Sequence, residues 1–303
     1  MDLTKIVECV PNFSEGRRKE VIDAILAPFK ETEGVYLLDY ETDPNHNRLV
    51  VTVIGIPEKV EEVVFNATKV ATELIDMEKH RGEHPRIGAT DVIPFIPVKG
   101  MTMDEAVKMA HRLGKRIADE LEIPVYYYEE AALCPERKNL EVIRKGQYEG
   151  LKEEIEKPER RPDVGPPRMH PKAGATVVGA RGPLIAFNVN LNTKDIEIAK
   201  KIARFVRHSS GGLRYVKAIG VDLSEKGMVQ VSMNLTNYEK TAIYRVFELI
   251  KIEAKRWGVE VVESEIVGLV PALSLFDSIS YYLKLKEFSP ERQVLELRLL
   301  GGM

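Results

Sequence analysis

Apolar residues recur along this chain at two periods, every second position and every third or fourth, and the two alternate. Lys5 to Phe13 reads as a strand. Val21, Ile22, Ile25, Leu26 and Phe29 then share one face of a helix, with Asn12 or Ser14 as its N-cap. Strands are expected over Val35 to Asp39 and Arg48 to Gly55, separated by the turn signal Asp43-Pro44-Asn45. Pro57 opens a second helix carrying Val60, Val63, Val64, Ala67, Val70, Ala71, Leu74 and Ile75 at helical spacing. A strand follows through Asp91 to Ile96. Thr102 with Glu105 forms a capping box for a third helix, which leads to a short strand at Val125 to Tyr128. Strand, helix, strand, strand, helix, strand is the split βαβ order.

From Lys152 to Pro171 the periodicity stops. Glu, Lys and Arg dominate, and Pro158, Pro162, Pro166, Pro167 and Pro171 deny the stretch a helix or central strand, so it reads as a linker or crossing loop. The second half then repeats the order of the first. Strands are expected at Leu184 to Leu191, Val216 to Leu223, Met228 to Leu235 and Val259 to Gly268. One helix carries Ile196, Ala199, Ile202, Ala203 and Val206. Another, capped by Thr236 with Glu239, carries Ile243, Val246, Phe247, Ile250 and Trp257. Pro271 to Leu300 looks helical. The expected fold class is α+β: two ferredoxin-like-type βαββαβ subdomains, 1–165 and 166–303, with mainly antiparallel sheets backed by helices.

Composition narrows the function classes. The 303 residues hold 44 Lys+Arg against 47 Asp+Glu, a net charge of −3, so no global field favours nucleic acid or a membrane surface. At 44% hydrophobic the chain can bury a substantial core. Cys9 and Cys134 are too few for a disulfide scaffold, which fits a cytoplasmic location. Met1-Asp2-Leu3-Thr4-Lys5 shows no basic stretch leading into an apolar one, so no signal peptide is expected. No run reaches the ~18 apolar residues of a membrane span.

Four segments carry candidate chemistry. The loop His80-Arg81-Gly82-Glu83-His84-Pro85-Arg86-Ile87-Gly88 combines imidazoles, which exchange protons near neutrality, with arginines, which hold carboxylates through paired hydrogen bonds. His80 and His84 have the i, i+4 spacing of helical zinc ligands, and His46, Asp39 and Asp91 can be imagined completing a site. Gly82 and Pro85 argue against helical geometry there, and no metal is expected. Asn12-Phe13-Ser14-Glu15-Gly16 places free backbone N–H groups near a helix start, where an anion is welcome. Asp39-Tyr40-Glu41 offers a carboxylate to orient an imidazole, and Asn45-His46-Asn47-Arg48 follows it. Gly165 to Thr176, ending in Gly179-Ala180-Arg181-Gly182, is rich in glycine and cations. It lacks the Lys-Ser/Thr of a phosphate-binding loop, and no dinucleotide fingerprint follows a strand.

Several stretches together resemble the formiminotransferase family. They are Val7 to Gly16, Gly82 to Ala89, Asp91 to Val98, Gly174 to Arg181 with Leu184 to Asn188, and Val267 to Pro271. The resemblance implies transfer of a formimidoyl group between N-formimidoyl-L-glutamate and tetrahydrofolate. It implies two similar subdomains, with folate held in the groove between them, and a homodimer. It places the catalytic histidine at His84, with Asp39 or Glu41 as its acidic partner. Asn12, Ser14, Arg48, Arg86 and Arg181 are expected to contact substrate. The loop Gly165, Pro166, Pro167, Arg168, Met169, His170, Pro171, Lys172, Ala173, Gly174 is expected to contact folate. The partners expected are small molecules, a folate and a glutamate derivative, with neither nucleic acid nor membrane. The animal enzyme's cyclodeaminase domain has no room in a chain of this length, so one reaction alone is expected. Three alternatives stand beside this: formyl transfer between N-formylglutamate and 5-formyltetrahydrofolate on the same fold, a metal-dependent hydrolase of an N-substituted amino acid using His80 and His84, and a non-catalytic folate-binding dimer.

Overall fold

The computed structural model describes residues 4–299, which form two compact units, Met1–Arg181 and Gly182–Met303. The first unit runs β1 (Ile6–Cys9), β2 (Asn12–Phe13), α1 (Lys19–Glu31), β3 (Val35–Asp43), β4 (Arg48–Gly55), α2 (Pro57–Leu74), β5 (Thr90–Lys99), α3 (Met103–Leu121), β6 (Val125–Glu129), α4 (Leu140–Ile143), α5 (Gln147–Glu154) and β7 (Thr176–Ala180). Its sheet has the order β1-β4-β2-β5-β7-β6, with β3 also on β4 and β1 also on β5. The pairs are antiparallel except β5–β7 and β6–β7. Those two parallel pairings put the chain as far as Arg181 in the first unit, so the division falls after Arg181 and not at 165/166. The stretch between α5 and β7 is the crossing loop that a parallel connection requires. Its end is pinned to the sheet, Asp163 N–H donating to Val125 O at 2.9 Å.

The single strand expected over Lys5 to Phe13 is two short ones. Pro11 has no N–H to offer a ladder, so pairing breaks there and resumes at Asn12. The expected caps of α1 are also displaced. Asn12 lies in β2, the Ser14 hydroxyl donates to Gly88 O at 2.7 Å, and the backbone N-cap is Arg18. Glu15 serves the helix start instead, one carboxylate oxygen accepting from Arg17 N and Arg18 N at 2.9 Å each. The Thr102–Glu105 capping box of α3 forms as expected. Helices α1 to α3 cover one face of the sheet through Val7, Cys9, Leu49, Val51, Val53 and Phe95. On the opposite face, Val92, Tyr126, Tyr128 and Val177 pack with Ile143 and Leu151 of α4 and α5.

The second unit runs β8 (Ile185–Leu191), α6 (Ile196–Val206), β9 (Val216–Leu223), β10 (Met228–Leu235), α7 (Ile243–Arg256), β11 (Val261–Val267), then α8 (Leu273–Leu283), α9 (Pro290–Gln293) and α10 (Leu295–Leu299). Its four strands are all antiparallel in the order β11-β8-β10-β9. Ile185, Phe187, Val189 and Leu191 face Ile202, Val206, Val246 and Ile250 in one core. Thr236 does not cap α7. Its backbone N–H is used on Tyr215 O at 2.9 Å, a turn from Asn237 to Thr241 intervenes, and Ala242 is the cap. The helical tail is broken into three pieces, and Leu300 lies outside the described residues. Both units are thus mixed helix and strand, with mostly antiparallel sheets backed by helices. Among the described residues no helix is long and apolar enough to cross a membrane.

Candidate functional site

The site forms where three loops of the first unit meet at one end of its sheet. The β3–β4 turn is set by Asp43, whose Oδ1 accepts from Asn45 N and His46 N at 2.9 Å each, an Asx turn. Asn47 closes it in the left-handed region, φ 49°, which asparagine tolerates. From there Asn47 holds the other loops. Its Oδ1 accepts from Gly16 N at 2.9 Å, its Nδ2 donates to Arg81 O at 3.1 Å, and its carbonyl accepts from His80 Nε2 at 3.0 Å. The backbones approach so closely that a Cβ on Gly82 would lie 2.2 Å from His46 O, and one on Gly16 2.4 Å from Asp43 O. These two glycines are steric requirements of the junction.

A small cleft opens here, lined by His84, His46, Arg48, Asn12, Ser14 and Asp91 among others. His84 is half-buried. Burial, then the charges of Arg48, Arg144 and His46, lower its pKa to about 3, with backbone hydrogen bonding at Pro85 opposing them. The ring is therefore neutral at physiological pH. It stands edge-on to His46, centroids 6.2 Å apart. Among the described residues no hydrogen bond or ion pair engages the Arg48 guanidinium, although the residue is largely enclosed. Burial and the Arg144 charge press on it, opposed by Asp91, Glu41 and Asp43.

Asp91 is buried, and both its oxygens are used. Oδ1 accepts from Ile87 N at 2.8 Å and Oδ2 pairs with Arg144. That fixes the exit of the His84 loop and sets a second cation behind it. Ser14 adds two ties to the same loop, its hydroxyl on Gly88 O and its N–H on Ala89 O at 2.7 and 2.8 Å.

The expected site residues divide into several groups. Asn12, Ser14, Arg48, His84 and Arg86 all line the cleft. Arg86, however, is fully occupied: Nε donates to His80 Nδ1 at 3.2 Å, Nη1 to Gln147 and Glu149 at 2.9 Å each, and Nη2 to Glu149 at 2.7 Å. Asp39 and Glu41 pair with Thr52 and Val50, on the sheet face that Arg48 shares, and neither contributes to the electrostatics of His84. The carboxylate–imidazole pair present at the site is Asp43–His46. Arg181 is remote from Arg48. Its N–H bonds Phe95 O, at the level of Val53 on β4, five residues or about 17 Å along the strand from Arg48.

The loop from Gly165 to Gly174 is stitched to the exit of the His84 loop by Ala89 N to Ala173 O at 2.8 Å and Ala175 N to Ile87 O at 3.0 Å. Gly165 and Gly174 both take positive φ, 89° and 74°. His170 Nδ1 accepts from Lys172 N and Ala173 N at 3.2 and 2.9 Å, while Pro167, Arg168, Pro171 and Lys172 are exposed. Pro166 and Met169 are partly buried. Among the described residues no group of three His, Cys, Asp or Glu is set to hold a metal ion.

Sequence reasoning named Asn47 only as part of a polar run and passed over Arg144. An Asn directly after an Asx turn is a usable signal for the first. Nothing local marks Arg144, which reaches the site only through the tertiary placing of α4.

Two family descriptions match in succession: the N-terminal subdomain of the formiminotransferase domain over residues 6–181, and the formiminotransferase domain over residues 186–299. The chain is 51% identical over 299 residues to the glutamate formimidoyltransferase of Streptococcus pyogenes serotype M1, covering 99% of this chain and 100% of that protein. It is 51% identical over 296 residues to the glutamate formimidoyltransferase of Thermoplasma acidophilum, covering 97% of each. With the formimidoyltransferase-cyclodeaminase of Rattus norvegicus it shares 48% identity over 287 residues, 92% of this chain and 53% of that protein. Two successive domain matches and about 51% identity over nearly the whole chain leave one assignment: the chain belongs to the formiminotransferase family.

Proposed function

We propose that this protein transfers a formimidoyl group between N-formimidoyl-L-glutamate and tetrahydrofolate, with His84 as the proton shuttle. The observation that carries the reading is a neutral imidazole set beside an unengaged guanidinium in one cleft. The donor is an N-substituted formamidine bearing carboxylates. Arg48 takes one carboxylate, for which its paired donors are suited. N5 of tetrahydrofolate adds to the imine carbon, giving a tetrahedral carbon with nitrogen on both sides. The proton lost from N5 passes to the His84 ring. His84 returns it to the glutamate nitrogen, the carbon–nitrogen bond to glutamate breaks, and 5-formimidoyltetrahydrofolate and glutamate remain.

The low pKa has a use in this sequence of events. Burial, joined by the neighbouring cations, holds His84 in its base form. A substrate carboxylate on Arg48 offsets one of those cations and raises the imidazole pKa toward the range where a proton is both taken and returned. Juxtaposing donor and acceptor supplies a further large share of the rate.

Tetrahydrofolate is the co-substrate on this reading, and the exposed Arg168 and Lys172 are the contacts for the anionic tail of the folate. The orienting carboxylate expected at Asp39 or Glu41 is on this reading Glu41, whose charge acts on Arg48. A cytoplasmic homodimer is the working form on this reading, the dimer as the resemblance implies and the cytoplasm as the two cysteines suggest. The test is the absorbance of the 5,10-methenyl product after mild acid treatment, with and without N-formimidoylglutamate. Donor-dependent product is expected, and its absence overturns the reading. N-formylglutamate run in parallel decides which one-carbon unit is preferred.

A further inference from the structure

Glu8 lies in the middle of β1, between Val7 and Cys9, whose side chains are fully buried under the helices. Alternation turns Glu8 to the opposite face, where its ladder partners are Ile54 on β4 and Ile96 on β5. It is half-buried there. Among the described residues its carboxylate accepts no hydrogen bond and joins no ion pair. The one charge acting on it is Arg181, whose own side chain bonds Tyr128. Burial is the main influence on Glu8, and it raises the pKa of the carboxyl.

A carboxylate so enclosed and unsatisfied is costly, and a central strand has no structural use for one. Any β-branched residue would serve the ladder better. The group that fits it is a pair of adjacent N–H donors, which a carboxylate accepts side by side.

Position names the bearer of those donors. Asn12, which lines the His84 cleft, shares the Glu8 face: Asn12 pairs with Val50 and Glu8 with Ile54, two like-facing positions of β4. Four residues of strand separate them, about 13 Å. That span suits a flat bicyclic ring plus the reach of a glutamate side chain. A pterin has its reacting N5 in one ring and, at the far edge of the other, N3–H beside a 2-amino group.

We propose that Glu8 accepts the N3–H and 2-amino hydrogens of the pterin ring, with the ring laid along β1 and β2 and N5 toward His84, so that Glu8 selects a 2-amino-4-oxopteridine as acceptor. This assignment rests on the folate reading given above.

Calorimetric titration of wild type and Glu8→Gln with 5-formyltetrahydrofolate and with its 2-desamino-2-methyl counterpart tests it. Glutamine is nearly isosteric, and a thermal melt checks that the variant folds. Wild type is expected to prefer the 2-amino compound by roughly 10- to 100-fold, and Glu8→Gln to lose that preference by weakening the 2-amino compound alone. The KM for N-formimidoylglutamate should stay put. If Glu8→Gln keeps both wild-type affinities, the Glu8 assignment is overturned while the folate reading stands. If wild type binds neither compound, the folate reading itself has failed and Glu8 falls with it.

Discussion

Two histidines four residues apart on one loop have opposite surroundings. Both nitrogens of His80 are engaged, Nδ1 by Arg86 and Nε2 by Asn47 O, and Arg86 is in turn closed off by Glu149 and Gln147. Four residues on, the charges acting on His84 are those of cations, the Asp91 carboxylate of the same cleft is spent on Ile87 N and Arg144, and the Arg48 guanidinium has no bonded partner among the described residues. The His80 half is a finished hydrogen-bond network, and such networks hold a backbone in place. The His84 half is unfinished, and unpaired polar groups in a cleft are what a ligand completes. Residue type does not separate the two halves. Satisfaction does. The second unit supports the same distinction: its sheet also carries enclosed polar side chains, but Asn188 bonds Glu265, and Asn190 bonds both Glu263 and Gln230, so the set is closed on itself.

The comparison is most exposed at His84. His84→Ala should lower kcat by roughly 10²–10⁴-fold with little change in melting temperature, measured by the methenyl assay and calorimetry. In wild type, kcat/KM should show no acid limb from this ring near the ordinary histidine value of 6.5, because the ring in the free enzyme titrates at about 3. An acid limb at 6.5 that vanishes in His84→Ala would contradict the electrostatics described. Next comes Arg48→Met. Removing the guanidinium proposed to hold a donor carboxylate should raise the KM of the donor by roughly 10²-fold, with a smaller change in kcat. Because Arg48 depresses the His84 pKa, that variant should also move the imidazole titration upward, which NMR of labelled histidine can follow. A shift downward would be the wrong sign.

The smallest effect on turnover belongs to the finished half. Arg86→Met should cost stability, about 1–3 kcal/mol by denaturant titration, given that Glu149 is substantially exposed and its ion pair correspondingly screened. The His80 pKa should rise, because the Arg86 charge is one of the influences that lower it after burial, while the donor KM moves by less than in Arg48→Met. If Arg86→Met raises the donor KM more than Arg48→Met does, the division of the loop into a supporting and a reacting half is wrong.

Much of the architecture is legible in the residues. The second-unit strands Val216–Leu223 and Met228–Leu235, the Pro57 start of α2 and the Thr102–Glu105 cap of α3 follow from periodicity and local capping chemistry, which act within a few residues. The errors arise where a partner lies far along the chain. Ser14 looks like a helix cap until Gly88, 74 residues away, takes its hydroxyl. Thr176–Ala180 is fully buried and becomes a central parallel strand only because β5 and β6 flank it, so the unit boundary moves to Arg181. His84 and Arg48 stand out as residue types. That Arg86 is occupied while Arg48 is not cannot be read from either one's neighbours in sequence.

The sequence by itself determined the two α+β halves, the family and the candidate loop around His84, since periodicity, caps and a long ordered set of motifs are local properties of the string. Only the tertiary structure decided which polar groups are spent and which are left over. Hydrogen-bond satisfaction is set by distances of about 3 Å between residues dozens of positions apart, and no local pattern encodes those distances.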